Sequence, residues 1–228
     1  MGLGPLPRNG TGARAWRVRW DGERTAAVMA GLRADLAHRR SSPKAPFDPP
    51  ASPFGTTPGG LLDYRGLRLT EPIRHARVEG VDFAAGTLAD GGQFDSDFTS
   101  CVFDQAVLRG TFLGRSFTRC SFREARLDRC RLPATFTDCS FAGARLRGVV
   151  ASGQTFTRCD FTGAQLHRSH FDHCTFIDCS FDGITTGLAS MGGSTFVGEV
   201  DLGLFTGTVL DHVRHDPAPP GTRPPSAP

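Results

Sequence analysis

The sequence predicts a solenoid, one structural unit wound repeatedly along the chain. Three observations predict it. The phrase FTRCSF (117–122) returns as FTDCSF (136–141), FTRCDF (156–161) and FIDCSF (176–181), with a looser FTSCVF at 98–103. The copies start 19, 19, 20 and 20 residues apart. Between them a large apolar residue recurs every five positions with a few slips of one, and the residue two places before it is small. A period of five suits neither a helix, at about 3.6 residues per turn, nor a flat strand, at about two. Self-similarity near twenty residues is the mark of a repeat architecture.

The elements follow in chain order. Residues 1–40 are a basic segment outside the repeat. The start, MGLGPLPRNG, holds no apolar signal-peptide segment, and Leu6 stands where a myristoylation signal needs Ser or Thr. AWRVRW (15–20) reads as a short strand. Glu23 to Arg40 reads as a helix with Val28, Leu32 and Leu36 on one face and Arg24, Arg33, Arg39 and Arg40 elsewhere. Three roles are open to that helix. It can cap the exposed first coil, bind or dimerise with a partner, or touch nucleic acid. Residues 41–60, with six prolines and three glycines, read as a linker. Residues 63–83 read as an irregular first coil, residues 61–212 as the repeat region, and residues 213–228 as a disordered tail.

Sorted by their place in each twenty-residue unit, the large residues fall into four columns. The first runs Phe83, Phe103, Phe122, Phe141, Phe161, Phe181, and the second Leu88, Leu108, Leu127, Leu146, Leu166. The third is ragged: Phe94, Phe112, Leu132, Ala151, Phe171, Met191. The fourth runs Val78, Phe98, Phe117, Phe136, Phe156, Phe176, Phe196. Residue identity repeats once per unit, so the longer period is real. The small slots hold Ala106, Gly110, Ala125, Ala134, Ala144, Ala164, Ser169 and all seven cysteines.

This pattern resembles the pentapeptide-repeat family, whose motif is a small residue, a polar one, Leu or Phe, and two polar residues. The resemblance covers about 78–206. It implies an all-β fold, a right-handed four-sided parallel β-helix with four pentapeptides per coil, here preceded by an N-terminal helical segment. The large and small residues of each pentapeptide then point inward. Six to seven coils stacked at ~4.8 Å give a rod of roughly 30 Å. Each coil hydrogen-bonds its neighbours, so stability accumulates along the stack.

Composition narrows the functional classes. Hydrophobic content of 39% and charged content of 21% fit a soluble chain. No run approaches the ~20 apolar residues of a membrane helix. A cytoplasmic protein with reduced thiols is expected. Lys44 is the only lysine beside 25 arginines, a bias of GC-rich bacterial genomes. Charge is striped: residues 78–104 carry −6, residues 105–147 carry +6 and residues 148–212 carry −5.

Several side chains are candidates for chemistry. Cys101, Cys120, Cys139, Cys159 and Cys179 share one column, with Cys130 and Cys174 on other sides. Parallel neighbours one coil apart are too far apart for the ~3.8 Å Cβ separation of a disulfide, and a linear ladder does not converge on zinc. Structural packing is the reading. His167, His170 and His173, beside Asp172, form the one candidate metal or acid–base group, on the ragged third side. Arg109, Arg126, Arg145 and Arg147 gather on outward slots of the second side, with His167 in the same column. They read as a solvated stripe or as a docking patch for an acidic partner.

No phosphate loop, nucleophile–His–acid set or carboxylate pair is present, and no cofactor is expected. The leading expectation is a non-catalytic scaffold that binds a protein partner through its outer faces. The resemblance implies an alternative: members of the family that mimic DNA, bind DNA gyrase or topoisomerase IV and protect it from quinolones or natural toxins. Duplex DNA carries one charge per ~1.7 Å, so a 30 Å mimic needs on the order of eighteen negative charges. Residues 78–212 carry −5 net. An enzyme or ligand binder on the third side is the remaining class. Direct nucleic-acid binding is not the expected mode, and a dimer is compatible with the sequence.

Overall fold

The computed structural model describes residues 11–41, 48–88 and 92–217. Two helices come first, α1 (Thr11–Val18) and α2 (Gly22–Ser41). Twelve short strands follow: β1 (Leu62–Asp63), β2 (Arg68–Leu69), β3 (Ile73–Glu79), β4 (Val81–Asp82), β5 (Thr87–Leu88), β6 (Gln93–Thr99) and β7 (Phe112–Thr118). The series ends with β8 (Ala134–Thr137), β9 (Thr155–Thr157), β10 (Thr175–Ile177), β11 (Thr195–Val197) and β12 (Arg214–Asp216).

The chain is a parallel β-solenoid. One face is an eight-stranded sheet in the order β12-β11-β10-β9-β8-β7-β6-β3. Three further columns are single-residue parallel bridges, such as Ser121 to Ser140, Arg126 to Arg145 and Val150 to His170. Those four columns are the four sides. Eight rungs replace the expected six to seven coils, because β3 below and β12 above extend the ladder. At ~4.8 Å per rung the stack is about 34 Å long.

Large residues fill the interior as aromatic ladders. Phe103 and Phe122 stack at 4.9 Å with an interplanar angle of 7°. Phe98 and Phe117 stack at 5.0 Å and 4°. Within one coil the two ladders meet edge to face, Phe117 against Phe122 at 5.5 Å and 66°. Every ring therefore takes both arrangements that a π quadrupole favours. The ladder continues through Phe141, Phe161 and Phe181 on one side and Phe136, Phe156, Phe176 and Phe196 on the other.

The third letter of the repeated phrase turns the corner. Ser100, Arg119, Asp138, Arg158 and Asp178 all have φ between 50° and 54°. Stacked one coil apart, Arg158 reaches down to Asp138 with Nε–Oδ1 at 2.6 Å and Nη2–Oδ2 at 3.0 Å. Arg119 points instead to Ser100 Oγ at 3.3 Å. Alternating sign thus yields one bidentate pair on an exposed edge, of modest energy.

Four expectations change. The third-side residue after Leu108 is Leu113, fully buried, with Thr111 as its small inward neighbour; Phe112 is only partly buried and Gly110 lies exposed. The reason is register. β6 and β7 run straight across that corner and pair along seven residues, which places Phe94 opposite Leu113. AWRVRW is mostly helix, not strand. Its docking decides this: Arg17 Nε donates to Ala85 O at 2.9 Å, Trp20 Nε1 to Arg65 O at 2.8 Å, and the Arg65 guanidinium lies 4.8 Å from the Trp16 ring. Gly66 permits that approach, since a Cβ there would lie 2.3 Å from the Trp16 carbonyl carbon. On α2 the buried face is Val28, Met29 and Leu32, and Arg39 is buried with them, bonded to Asp35 and the Arg74 carbonyl. Finally, ordered chain runs past 212, because β12 pairs with β11. The Pro-rich residues from 218 and residues 42–47 of the expected linker lie outside the described residues.

Among the described residues no helix is long and apolar enough to cross a membrane. Part of the expected linker is packed: Tyr64 donates its hydroxyl to Pro50 O, and Trp20 meets Phe54 edge to face at 5.0 Å.

Candidate functional site

The interior is closed by side chains, so chemistry belongs to the outer faces. All seven cysteines are free and buried. Each occupies the small slot and donates to a carbonyl of the coil below, as Cys130 does to Leu108 O at 2.7 Å and Cys174 to Ala151 O at 2.8 Å. Ser194 fills the same role toward Phe171 O at 2.7 Å. Burial pushes the Cys130 thiol up to about 12 and the Cys174 thiol up to about 11. Such thiols are poor nucleophiles at neutral pH.

The three histidines do not converge. His170 sits in a bridge column between Val150 and Ser190. His173 occupies the next corner at φ 57° and lies against Gly193. His167 is on the second side against Gly187. Asp172 is engaged by the Ser190 hydroxyl and by Gly192 N–H at 2.9 Å, with His170 Nδ1 3.7 Å away. The metal expectation at His167, His170 and His173 is therefore corrected. The coil turns between them, and among the described residues no three His, Cys, Asp or Glu side chains can hold a metal ion.

The arginines do converge, on a residue absent from the sequence reading. Asp128 follows Leu127, one coil above Arg109 and one coil below Arg147. Its Oδ2 lies 3.2 Å from Arg109 Nε and 4.0 Å from Arg126 Nε, and its Oδ1 lies 3.8 Å from Arg145 Nε. Asp128 is 8% exposed, while the three arginine side chains are two-fifths to one-half exposed. Arg126 and Arg145 face each other across a bridge, where like charges repel. The carboxylate beside them offsets that repulsion. Only the Arg109 contact is short enough for a hydrogen bond. Arg126 Nε and Arg145 Nε are buried without a hydrogen-bond partner, although both side chains remain about two-fifths exposed.

Higher on this side the basic character continues without compensation. Arg145, Arg147, His167 and Arg168 line one cleft with Gln165 and Leu188. Among the described residues neither Arg147 nor Arg168 forms an ion pair, whereas Arg109, Arg126 and Arg145 share Asp128. Arg109, Arg126, Arg145, Arg147 and Arg168 against Asp128 leave four net positive charges on this face. Arg168 escaped the sequence reading because it sits on the corner, one step off the arginine column. Asp128 is the one acidic residue in an otherwise basic column, and its burial, not its spacing, gives it its role.

With this geometry established, the repeat can be compared with known proteins. Residues 134–172 match the family model described as Pentapeptide repeats, in eight copies. The chain carries pentapeptide repeats. No curated protein matches it. Similar solved structures include QnrB1, a plasmid-mediated fluoroquinolone resistance protein, at 16% identity over 65% of this chain and 93% of that one, with a TM-score of 0.31. Another is HetL, a pentapeptide repeat protein involved in heterocyst differentiation regulation from the cyanobacterium Nostoc sp. strain PCC 7120, at 17% identity over 67% and 80% of the two chains and a TM-score of 0.23. A third is Rfr23 from the cyanobacterium Cyanothece 51142, at 13% identity over 63% and 88%, with a TM-score of 0.24.

Proposed function

We propose that the protein is a non-catalytic interaction scaffold that docks an acidic protein partner on its arginine face. One observation carries this reading: Arg109, Arg126 and Arg145 gather around the single buried carboxylate of Asp128, and their side chains stay two-fifths to one-half exposed. Fixed guanidinium groups on a stiff rod lose little entropy on binding. Their planar forks suit carboxylates. A surplus of positive charge also speeds encounter with an acidic surface, and that gain falls with salt. A DNA mimic would present the opposite sign on this face, so the topoisomerase alternative draws nothing from it.

The test is capture with wild type and with Arg109→Glu/Arg145→Glu/Arg147→Glu. A partner held by wild type should leave the triple variant, and its association rate should fall as ionic strength rises. A partner retained by the triple variant refutes the face assignment. A protein that instead alters gyrase supercoiling, with the triple variant equally active, would establish the alternative.

A further inference from the structure

The cleft above Asp128 has features that a docking face alone does not require. Its volume is about 430 Å³, within the ~300–1,000 Å³ of small-molecule sites. Arg145, Arg147 and Arg168 line it with no carboxylate among the lining residues. Gln165 and His167 add further hydrogen-bonding groups. Gly187 leaves room for the imidazole: a Cβ there would lie 2.7 Å from His167 Nδ1.

Leu188 is the second observation. It stands at the rim, 72% exposed, with φ 60°. That backbone conformation is costly for a bulky residue. The same corner carries Gly148 two coils below and Gly207 one coil above, and also Arg129 and Arg168, all at positive φ; Leu188 is its one large apolar side chain. Glycine would remove the strain. An exposed leucine adds nothing to the core, so its presence beside three guanidinium groups points to a contact outside the chain.

We propose that this cleft binds a phosphomonoester, with the phosphoryl oxygens on Arg145, Arg147 and Arg168 and the carbon part of the ligand against Leu188. Three guanidinium groups match a dianion better than a single carboxylate, and arginine forks bind phosphoryl oxygens in pairs. The site needs only Arg145 and Arg147 from the partner-docking face. Arg168 and Leu188 are untouched in the docking variant, so the two proposals fail separately.

The experiment is calorimetric titration of the full chain with phenyl phosphate and with inorganic phosphate. Phenyl phosphate should bind saturably and more tightly than inorganic phosphate. Arg147→Ala and Arg168→Ala should each weaken phenyl phosphate about tenfold, the effect of one charge-assisted hydrogen bond. Leu188→Gly should remove the preference for phenyl phosphate and leave inorganic phosphate unchanged. Arg131→Ala, on the third side, removes the same charge and should change neither affinity. A phosphoserine peptide titrated in parallel tells a protein-borne phosphoryl group from a free small molecule, and the tighter ligand names the source. No saturable binding below about 10 mM, a regime weaker than ~3 kcal/mol, overturns the proposal. So does equal weakening by Arg131→Ala and Arg168→Ala, which would mean diffuse charge attraction only.

Discussion

The two ends of the rod are closed by different chemistry. At the first coil, α2 brings Val28, Met29 and Leu32 into the common core, and polar groups from the helical segment lock the cap down. Arg19 and Arg65 both grip Asp63, which is 3% exposed, and Arg33 pairs with Glu71 at 2.7 Å. At the last described coil, closure is apolar and partial. A 3-10 turn (Leu202–Leu204) lays Phe205 edge to face on Phe181 at 5.1 Å, but Leu202, Leu204, Leu210 and Val213 are only half-buried. All three residues of β12 are exposed. A terminal coil lacks one stacking neighbour, and one end compensates with a helical cap and ion pairs while the other relies on a short apolar turn. Stability and pH sensitivity should therefore be concentrated at the capped end.

The sharpest way to break this comparison is to place the same charge at both ends. Leu32→Asp puts a carboxylate where the side chain is 3% exposed, and it should cost about 4 kcal/mol. Leu204→Asp, at a half-buried position, should cost about 1 kcal/mol because the charge can reach water. Urea melts of the two variants decide it, and equal losses would mean that the ends are equivalent. Next in size is Arg19→Ala. It leaves the Asp63 carboxylate buried with Arg65 as its remaining ionic partner, and it should cost about 2 kcal/mol. The measurement includes hydrogen exchange along the chain, since the loss should open β1 and β4 and leave β10 and β11 protected.

The contrast between the ends also explains what the sequence could show. Where one residue type recurs at one coil position, as with Phe103, Phe122 and Phe141, the period alone places each ring. Stacking constrains such a column from above and below, so a local error is corrected by the next copy. Phe112 shows the limit. A one-residue deletion can be absorbed on either side of it, and only the long pairing of β6 with β7 selects Leu113 for the interior. The cap was less legible still. Trp16 and Trp20 alternate as a strand would, yet their roles come from the carbonyl and the guanidinium of Arg65, more than forty residues away. For the candidate site, the arginine column was visible in the sequence. Asp128 beneath it and Leu188 at its rim were not, because one acts through burial and the other through an unusual backbone angle.

The smallest predicted effect concerns the titration of the capped end. Burial holds the Asp82 carboxyl up at about 6, although its Oδ1 accepts from Ala84 N–H at 2.9 Å and Arg65 Nε is 3.9 Å away. Burial also acts on Asp63, but hydrogen bonds from Arg19 and Arg65 outweigh it and hold that carboxyl well below the usual range. The two groups therefore act in opposite directions. Asp82 is protonated more readily folded than unfolded, so its contribution is favourable at low pH and is lost as pH rises from about 4 through about 6. Asp63 contributes above the unfolded carboxylate value of about 4 and loses that contribution as pH falls below it. Stability of this end should peak between the two windows. Asp82→Asn keeps the acceptor for Ala84 and removes the titration. It should raise stability at pH 7 by about 1 kcal/mol, less than the raised value alone implies, because the Arg65 ion pair is lost with the charge. It should also flatten the profile between pH 4 and 6. An unchanged slope across that window in thermal melts would place the titrating group elsewhere, and the pH sensitivity would no longer distinguish the capped end.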